Sequence, residues 1–204
     1  MPTRPAMHRL IGLAALGLLL ASTSACVRFG AKPPARLLGI ASDAHVAAGA
    51  AQSAAPGSAL FVEAPVVPRA IATQRIAVRA DATSYAYVRK ALWVDTPAHQ
   101  FQSLLGETIA AKTGRLVLDP GQFNAQAAQL LHGDLVDFGI DARSKQAVVT
   151  YDASLLTPDG LTVRHQRFSA SAPVSDIDAD KVAPAISKAA NAVADQVADW
   201  IGKP

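Results

Sequence analysis

Gln146–Leu156 reads QAVVTYDASLL. Val149, Tyr151 and Ala153 alternate with Val148, Thr150 and Asp152, the period-2 pattern of a strand with one face buried. Thr157-Pro158-Asp159-Gly160 follows as a hairpin connection into a second extended stretch, Leu161–Ser171. A third, Gly133–Ile140, comes just before. The three stretches predict an antiparallel meander, and with it a fold built on a sheet.

Working outward, Leu60–Ala64 is a plausible strand ended by Pro65. Arg75–Arg79 alternates, with Ile76 and Val78 on one face, and Tyr85–Val88 is a third strand that Ala91–Val94 extends or follows. Arg115–Leu118 is a short strand closed by the turn signal Asp119-Pro120-Gly121. Asn124–Leu131 reads either as a helical turn or as the lead into a strand. Thr96 suits an N-cap and Pro97 the first helical position, where a missing N–H costs little. Phe101, Leu104, Leu105, Thr108 and Ile109 then recur at helical spacing until Gly114 stops the helix. A second helix is predicted over Asp178–Ile201, with Val182, Ile186, Ala189, Ala190, Val193, Val197, Trp200 and Ile201 on one stripe. Pro184 fits it only if the regular helix begins near that residue. Strands, helix, strands, helix predicts an α+β fold: a mostly antiparallel sheet with two main helices packed on one face.

The N-terminus has a different character. Arg4 and Arg9 precede the apolar run Leu10–Ala21, and the small residues Ser22–Ala25 lead to Cys26, the sole cysteine of the chain. That run is shorter than the roughly 20 residues a membrane-spanning helix needs, so residues 1–25 read as an export signal. Thr23-Ser24-Ala25-Cys26 resembles the lipobox of bacterial lipoproteins, with Thr23 where leucine is usual. Ordinary cleavage leaving a free thiol is the bland alternative. A lone cysteine at the end of such a segment favours a lipid-anchored Cys26, and Val27 after it, rather than aspartate, points to the outer membrane. Residues 26–58, rich in Ala, Gly and Pro, read as an acylated N-terminus and leader. The folded domain is expected over 59–204.

Removing residues 1–25 takes away two arginines and no acid, leaving 17 basic against 16 acidic side chains. No strong electrostatic footprint for nucleic acid or anionic lipid is expected from that balance. Arg75, Arg79, Arg89 and Lys90 lie close in sequence but alternate with apolar residues, as a solvated strand face does. With a single cysteine there is no intrachain disulfide, and stability must come from the core.

No catalytic constellation stands out. The histidines His8, His45, His99, His132 and His165 show no i,i+4 pair and have no cysteine partner, so no metal site is expected. Asp176-x-Asp178-x-Asp180 has the spacing that opens a calcium loop, but Lys181 stands where that loop needs glycine and Ser187 where it needs glutamate. The three acids suit a helix start instead. No G-x-S-x-G, Walker or dinucleotide fingerprint occurs. The expectation is a non-enzyme without cofactors. Phe101, Leu104, Leu105, Ile109, Val193 and Val197 are expected as core, and so is Trp200 in preference to a partner contact.

LFVEAPVVP (Leu60–Pro68), ATQRIAVR (Ala72–Arg79), ALWVDTPAHQFQSLL (Ala91–Leu105) and GDLVDF (Gly133–Phe138) occur in this order, before a final helix ending in Trp200. In these features the chain resembles the ABC-type transport auxiliary lipoproteins, of the paraquat-inducible protein C kind. The resemblance implies a periplasm-facing, outer-membrane lipoprotein with palmitate on Cys26. It further implies docking of an envelope transporter for phospholipid or other hydrophobic compounds. The partners so implied are a mammalian-cell-entry (MCE) domain protein and an ABC ATPase and permease. A homo-oligomer is left open. The alternative from another class is a periplasmic carrier that holds a lipid or small ligand in its own cavity.

Overall fold

The computed structural model describes residues 37–55, 57–120 and 128–202. Along them run β1 (Leu60–Val62), β2 (Arg75–Arg79), β3 (Tyr85–Leu92), α1 (Pro97–Thr113), β4 (Val117–Leu118), β5 (Gln129–Asp141), β6 (Gln146–Leu156), β7 (Val163–Pro173) and α2 (Ala179–Gly202). The fold is α+β: the seven strands form one mixed sheet, and α1 and α2 pack on each other and on one of its faces.

β5, β6 and β7 form the expected antiparallel meander, paired from Asp141↔Gln146 to Leu130↔Leu156 and from Gln146↔Pro173 to Leu156↔Val163. The alternation in β6 sets its two faces. Ala147, Val149, Tyr151, Ala153 and Leu155 are buried, while Val148, Asp152 and Ser154 on the other side are half-buried. Thr157–Gly160 closes the hairpin, with the Thr157 N–H donating to the Thr162 carbonyl and the Leu161 N–H to the Asp159 carboxylate. The ambiguous stretch before β5 resolves into strand from Gln129; residues 121–127 lie outside the described set. β5 carries one surplus residue, Val136, where its register against β6 shifts between Leu135 and Asp137. Such a bulge reverses side-chain parity. Leu131 and Leu135 point inward before it, Phe138 and Ile140 after it, and all four are buried.

The far edge of β5 is built differently. β1 pairs with it in parallel (Leu60↔Gln129), Val66 bridges to Asp134, and β2 pairs in parallel further along (Ala77↔Gly139). Residues 60–79 thus act as one interrupted strand along β5. β4 flanks β1 in parallel, and β3 flanks β2 antiparallel. β3 is a single strand that takes in Ala91 and Leu92, with a register irregularity and Lys90 at φ 56°.

Thr96 is the N-cap of α1, although its hydroxyl makes no capping bond, and Pro97 opens the helix. Gly114 ends it in the left-handed conformation, φ 69°, donating to the Ala110 carbonyl. In α2 the Asp178 carboxylate accepts from the Asp180 and Lys181 N–H groups and so caps the N-terminus. The helix then runs through Pro184 instead of beginning beside it. The cap and buried Val182 hold the first turn, so the lost ladder bond falls where the helix is already anchored.

Between helices and sheet lies a chain of edge-to-face rings. Trp93 meets Phe138 at 5.8 Å, Phe138 meets Phe101 at 6.4 Å, and Phe101 meets Tyr151 at 5.3 Å. Phe168 and Trp200 form a further pair at 5.5 Å, which places Trp200 in the core. Gly133 makes room for this arrangement. A Cβ there would lie 2.7 Å from the Tyr151 ring and 2.1 Å from the Asp152 carbonyl oxygen.

Candidate functional site

Polar side chains interrupt the apolar faces of both helices, and they are buried: Gln100 and Thr108 on α1, Asn191 on α2. Each is satisfied by the segment before β1. Gln100 Oε1 accepts the Ile40 N–H at 3.1 Å, while its Nε2 donates to the Asp95 carbonyl. The Thr108 and Ser42 hydroxyls are 3.1 Å apart. Asn191 spans two residues, accepting from the Asp43 N–H at 2.9 Å and donating to the Ala41 carbonyl at 2.8 Å. Glu107 accepts the Val46 N–H at 2.8 Å. Leu38 adds a short parallel bridge beside Trp93, donating to the Leu92 carbonyl and accepting from the Val94 N–H. Residues 38–46, within the stretch 26–58 read as an acylated N-terminus and leader, therefore form a strap across α1 and α2. A strap held by side chains of other elements needs no periodicity of its own. Its traces in the sequence are the strand character of Arg36–Ile40, where Leu38 bridges to Trp93, and the polar residues set into two apolar stripes.

The strap holds Leu37, the first described residue, at the corner formed with Leu38 and Trp93–Val94. Cys26, the export signal and His8 lie outside the described residues.

The remaining sequence candidates are dispersed. His45 lies 3.7 Å from Glu107, His99 3.4 Å from Asp95, and His132 Nδ1 3.1 Å from Glu63. His165 Nδ1 is 3.0 Å from the Ser154 hydroxyl. The structure brings no two of these four onto a common ligand set, and among the described residues no three His, Cys, Asp or Glu side chains gather in a metal-binding group. Asp176 and Asp178 accept backbone N–H groups at the start of α2. The buried Tyr151 phenol is pushed up from its ordinary value by desolvation and by the charges of Asp134 and Glu63. It is fully enclosed, which suits packing and not proton transfer.

The face of the sheet turned away from the helices carries cross-strand pairs. Arg167 on β7 holds Asp152 on β6 through both carboxylate oxygens, and this keeps the Asp152 carboxyl below the usual range. Arg79 donates to Asp137 at 2.8 Å and lies 3.9 Å from Asp141. Asp141 is held low by the Ser144 and Arg143 N–H groups as well as by Arg79. The cavity on this face, bordered by Arg79, Tyr85 and Asp137, has a volume of about 20 Å³, room for a single water. A solvent-open groove of about 330 Å³ runs between the strap and α1–β4, lined by Val46, Gln102, Gly106, Glu107 and Leu118.

Residues 42–198 match the family model described as ABC-type transport auxiliary lipoprotein component. The match begins inside the strap. The crystal structure of a Xanthomonas campestris protein of the DUF330 family is similar to this chain, with a TM-score of 0.65 and 19% identity over 81% of this chain and 94% of its own. A second crystal structure, of an uncharacterized protein, aligns with a TM-score of 0.59 at 16% identity, covering 74% of this chain and 94% of its own. These likenesses show a shared fold. No curated protein matches the chain.

Proposed function

The chain belongs to the ABC-type transport auxiliary lipoprotein component family, and from that premise we propose that it is a lipid-anchored, periplasm-facing accessory of an ABC/MCE-type envelope transport system. In this reading Cys26 is the acylated first residue of the mature protein, and the domain docks the transporter at the outer membrane. It works without catalysis and without a cofactor. Two or more acyl chains on one cysteine give stable anchoring, where a single chain binds only marginally. The MCE-domain protein, with its ATPase and permease, supplies the movement of phospholipid or another hydrophobic compound.

The observation that carries this reading is the family match over residues 42–198. The packed interior supports docking over carriage. The space between sheet and helices, where a cargo cavity would lie, is filled by Trp93, Phe101, Phe138 and Tyr151, all buried. The test is intact mass of the mature protein, followed by affinity purification. The expected species begins at Cys26 with acyl chains attached and co-purifies with an MCE-domain protein. Cys26→Ala should abolish transport while leaving the fold intact. A mature chain with a free thiol, or full transport by the unacylated form, overturns the proposal.

A further inference from the structure

The sheet ends in β7 on one side and, on the other, in β3 beside β2 and the two-residue β4 beside β1. The β3 edge gathers exposed basic and apolar groups at the corner that holds Leu37, the first described residue. Leu37 and Val94 are 51% and 54% exposed, and they flank the short parallel bridge between Leu38 and Trp93, one at each end. Arg75 pairs with Leu92 across β2 and β3, and its guanidinium lies 3.8 Å from the Tyr87 ring centroid. Arg89 and Lys90 follow, both exposed, at the irregularity where Lys90 takes φ 56°.

Arg75, Arg89 and Lys90 form no ion pair with a carboxylate among the described residues. Arg79, Lys112 and Arg167 do, whereas Arg143, Lys145 and Lys181 also lack one among the described residues; the β3 edge is set apart by the ring and aliphatic side chains beside its cations. Asp95, the nearest acid to Arg89 and Lys90 along the chain, is engaged by the Thr96 N–H and by His99, and Asp81, the nearest to Arg75, by Thr83 and Ser84. The edge is therefore a basic patch with an aromatic ring and two aliphatic side chains. Uncompensated cations beside exposed apolar groups suit a bilayer interface, where both find a counterpart.

We propose that the β3 edge and the Leu37–Val94 corner lie against an anionic phospholipid surface, so that patch and anchor together hold the domain in one orientation. The proposal rests on the reading of Cys26 as acylated. Eleven Cα steps separate Cys26 from Leu37, at most about 40 Å at full extension. That is roughly the width of a domain this size, so the tether lets this corner reach the bilayer the anchor enters. Each basic side chain beside an anionic leaflet is worth on the order of fivefold in partitioning, and three are worth on the order of a hundredfold. The β7 edge then faces away, four strand spacings further out, about 19 Å.

The test uses the acylated full-length protein in vesicles of phosphatidylethanolamine and phosphatidylglycerol containing a spin-labelled quencher lipid. A fluorophore is placed on Val94→Cys or, for contrast, on Leu161→Cys in the β6–β7 turn, 84% exposed. The expected result is strong quenching at position 94 and little at 161. Quenching at 94 should fall when Arg75→Glu, Arg89→Glu and Lys90→Glu are combined. It should fall likewise, without any charge substitution, in phosphatidylcholine vesicles or in 1 M salt, where the screening length shrinks to about 3 Å. Equal quenching at both positions, or quenching at 94 that ignores charge and salt, overturns the proposal. Intact mass of the same sample separates the two readings. An unacylated chain sinks both, whereas an acylated, vesicle-bound protein with an unquenched label at 94 sinks this one alone.

Discussion

The two faces of the sheet rest on different physics. Toward the helices, rings and aliphatic side chains interlock with almost no exposure, and Gly133 has lost its side chain so that Tyr151 fits. Away from them, Asp152–Arg167, Arg79–Asp137, Glu63–His132 and Thr150–Ser169 stand as separate pairs. A void on the first face cannot be refilled, because close-packed interiors relax only in part. A broken pair on the second is rescued by water. Stability is therefore concentrated on one side, and the other can change its residues without losing the fold.

The sharpest test of this contrast is Phe101→Ala, which removes the ring between Phe138 and Tyr151. It should cost about 3–5 kcal/mol, read as a lower midpoint in chemical denaturation. A cost below about 1 kcal/mol would break the distinction between the faces. An intermediate effect is expected for Asn191→Ala, which strips the strap of its partners for the Asp43 N–H and the Ala41 carbonyl. The loss is about 1–3 kcal/mol. Hydrogen exchange should quicken at Asp43 while the amides of β6 keep their protection, and uniform acceleration would show that the strap is not a separate layer.

The smallest effect belongs to the outer face. Asp152→Asn should destabilise by less than about 1 kcal/mol at neutral pH. The sign of its pH dependence follows from the Arg167 hydrogen bond, which lowers the Asp152 carboxyl in the folded state. The stabilisation is complete above the unfolded value, near 3.9, and is lost as pH falls through the folded one. Unfolding curves of parent and variant should stay separated from pH 7 to about pH 5 and converge on further acidification. A gap that widens in acid would contradict the pairing.

Elements whose partners lie next to them in sequence are legible from residues alone. The two faces of QAVVTYDASLL match the burial of β6, and Thr96-Pro97 and Gly114 mark the ends of α1. Periodicity reports which face is buried and is silent about which strand lies alongside. The parallel pairing of β1 and β2 with β5 was invisible for that reason, and so was the parity reversal at Val136. Apart from the strand character of Arg36–Ile40, the strap escaped because it borrows its order from Gln100, Thr108 and Asn191. The basic residues near β3 were legible as a group, but alternation alone reads as a solvated face. Their lack of carboxylate partners appears only once the surrounding chain is in place.

The pairing of β1 and β2 with β5 also sets the order in which the fold can close. β1 does not complete its ladder until the chain has been made as far as Leu131 and β2 not until Asp141, and Phe168 lacks its ring partner Trp200 until α2 arrives. Contacts so distant in sequence slow folding, and a nascent chain cannot settle its N-terminal half first, as many do. On the proposed reading of residues 1–25 as an export signal, that delay keeps the chain open for passage across a membrane until its final helix follows.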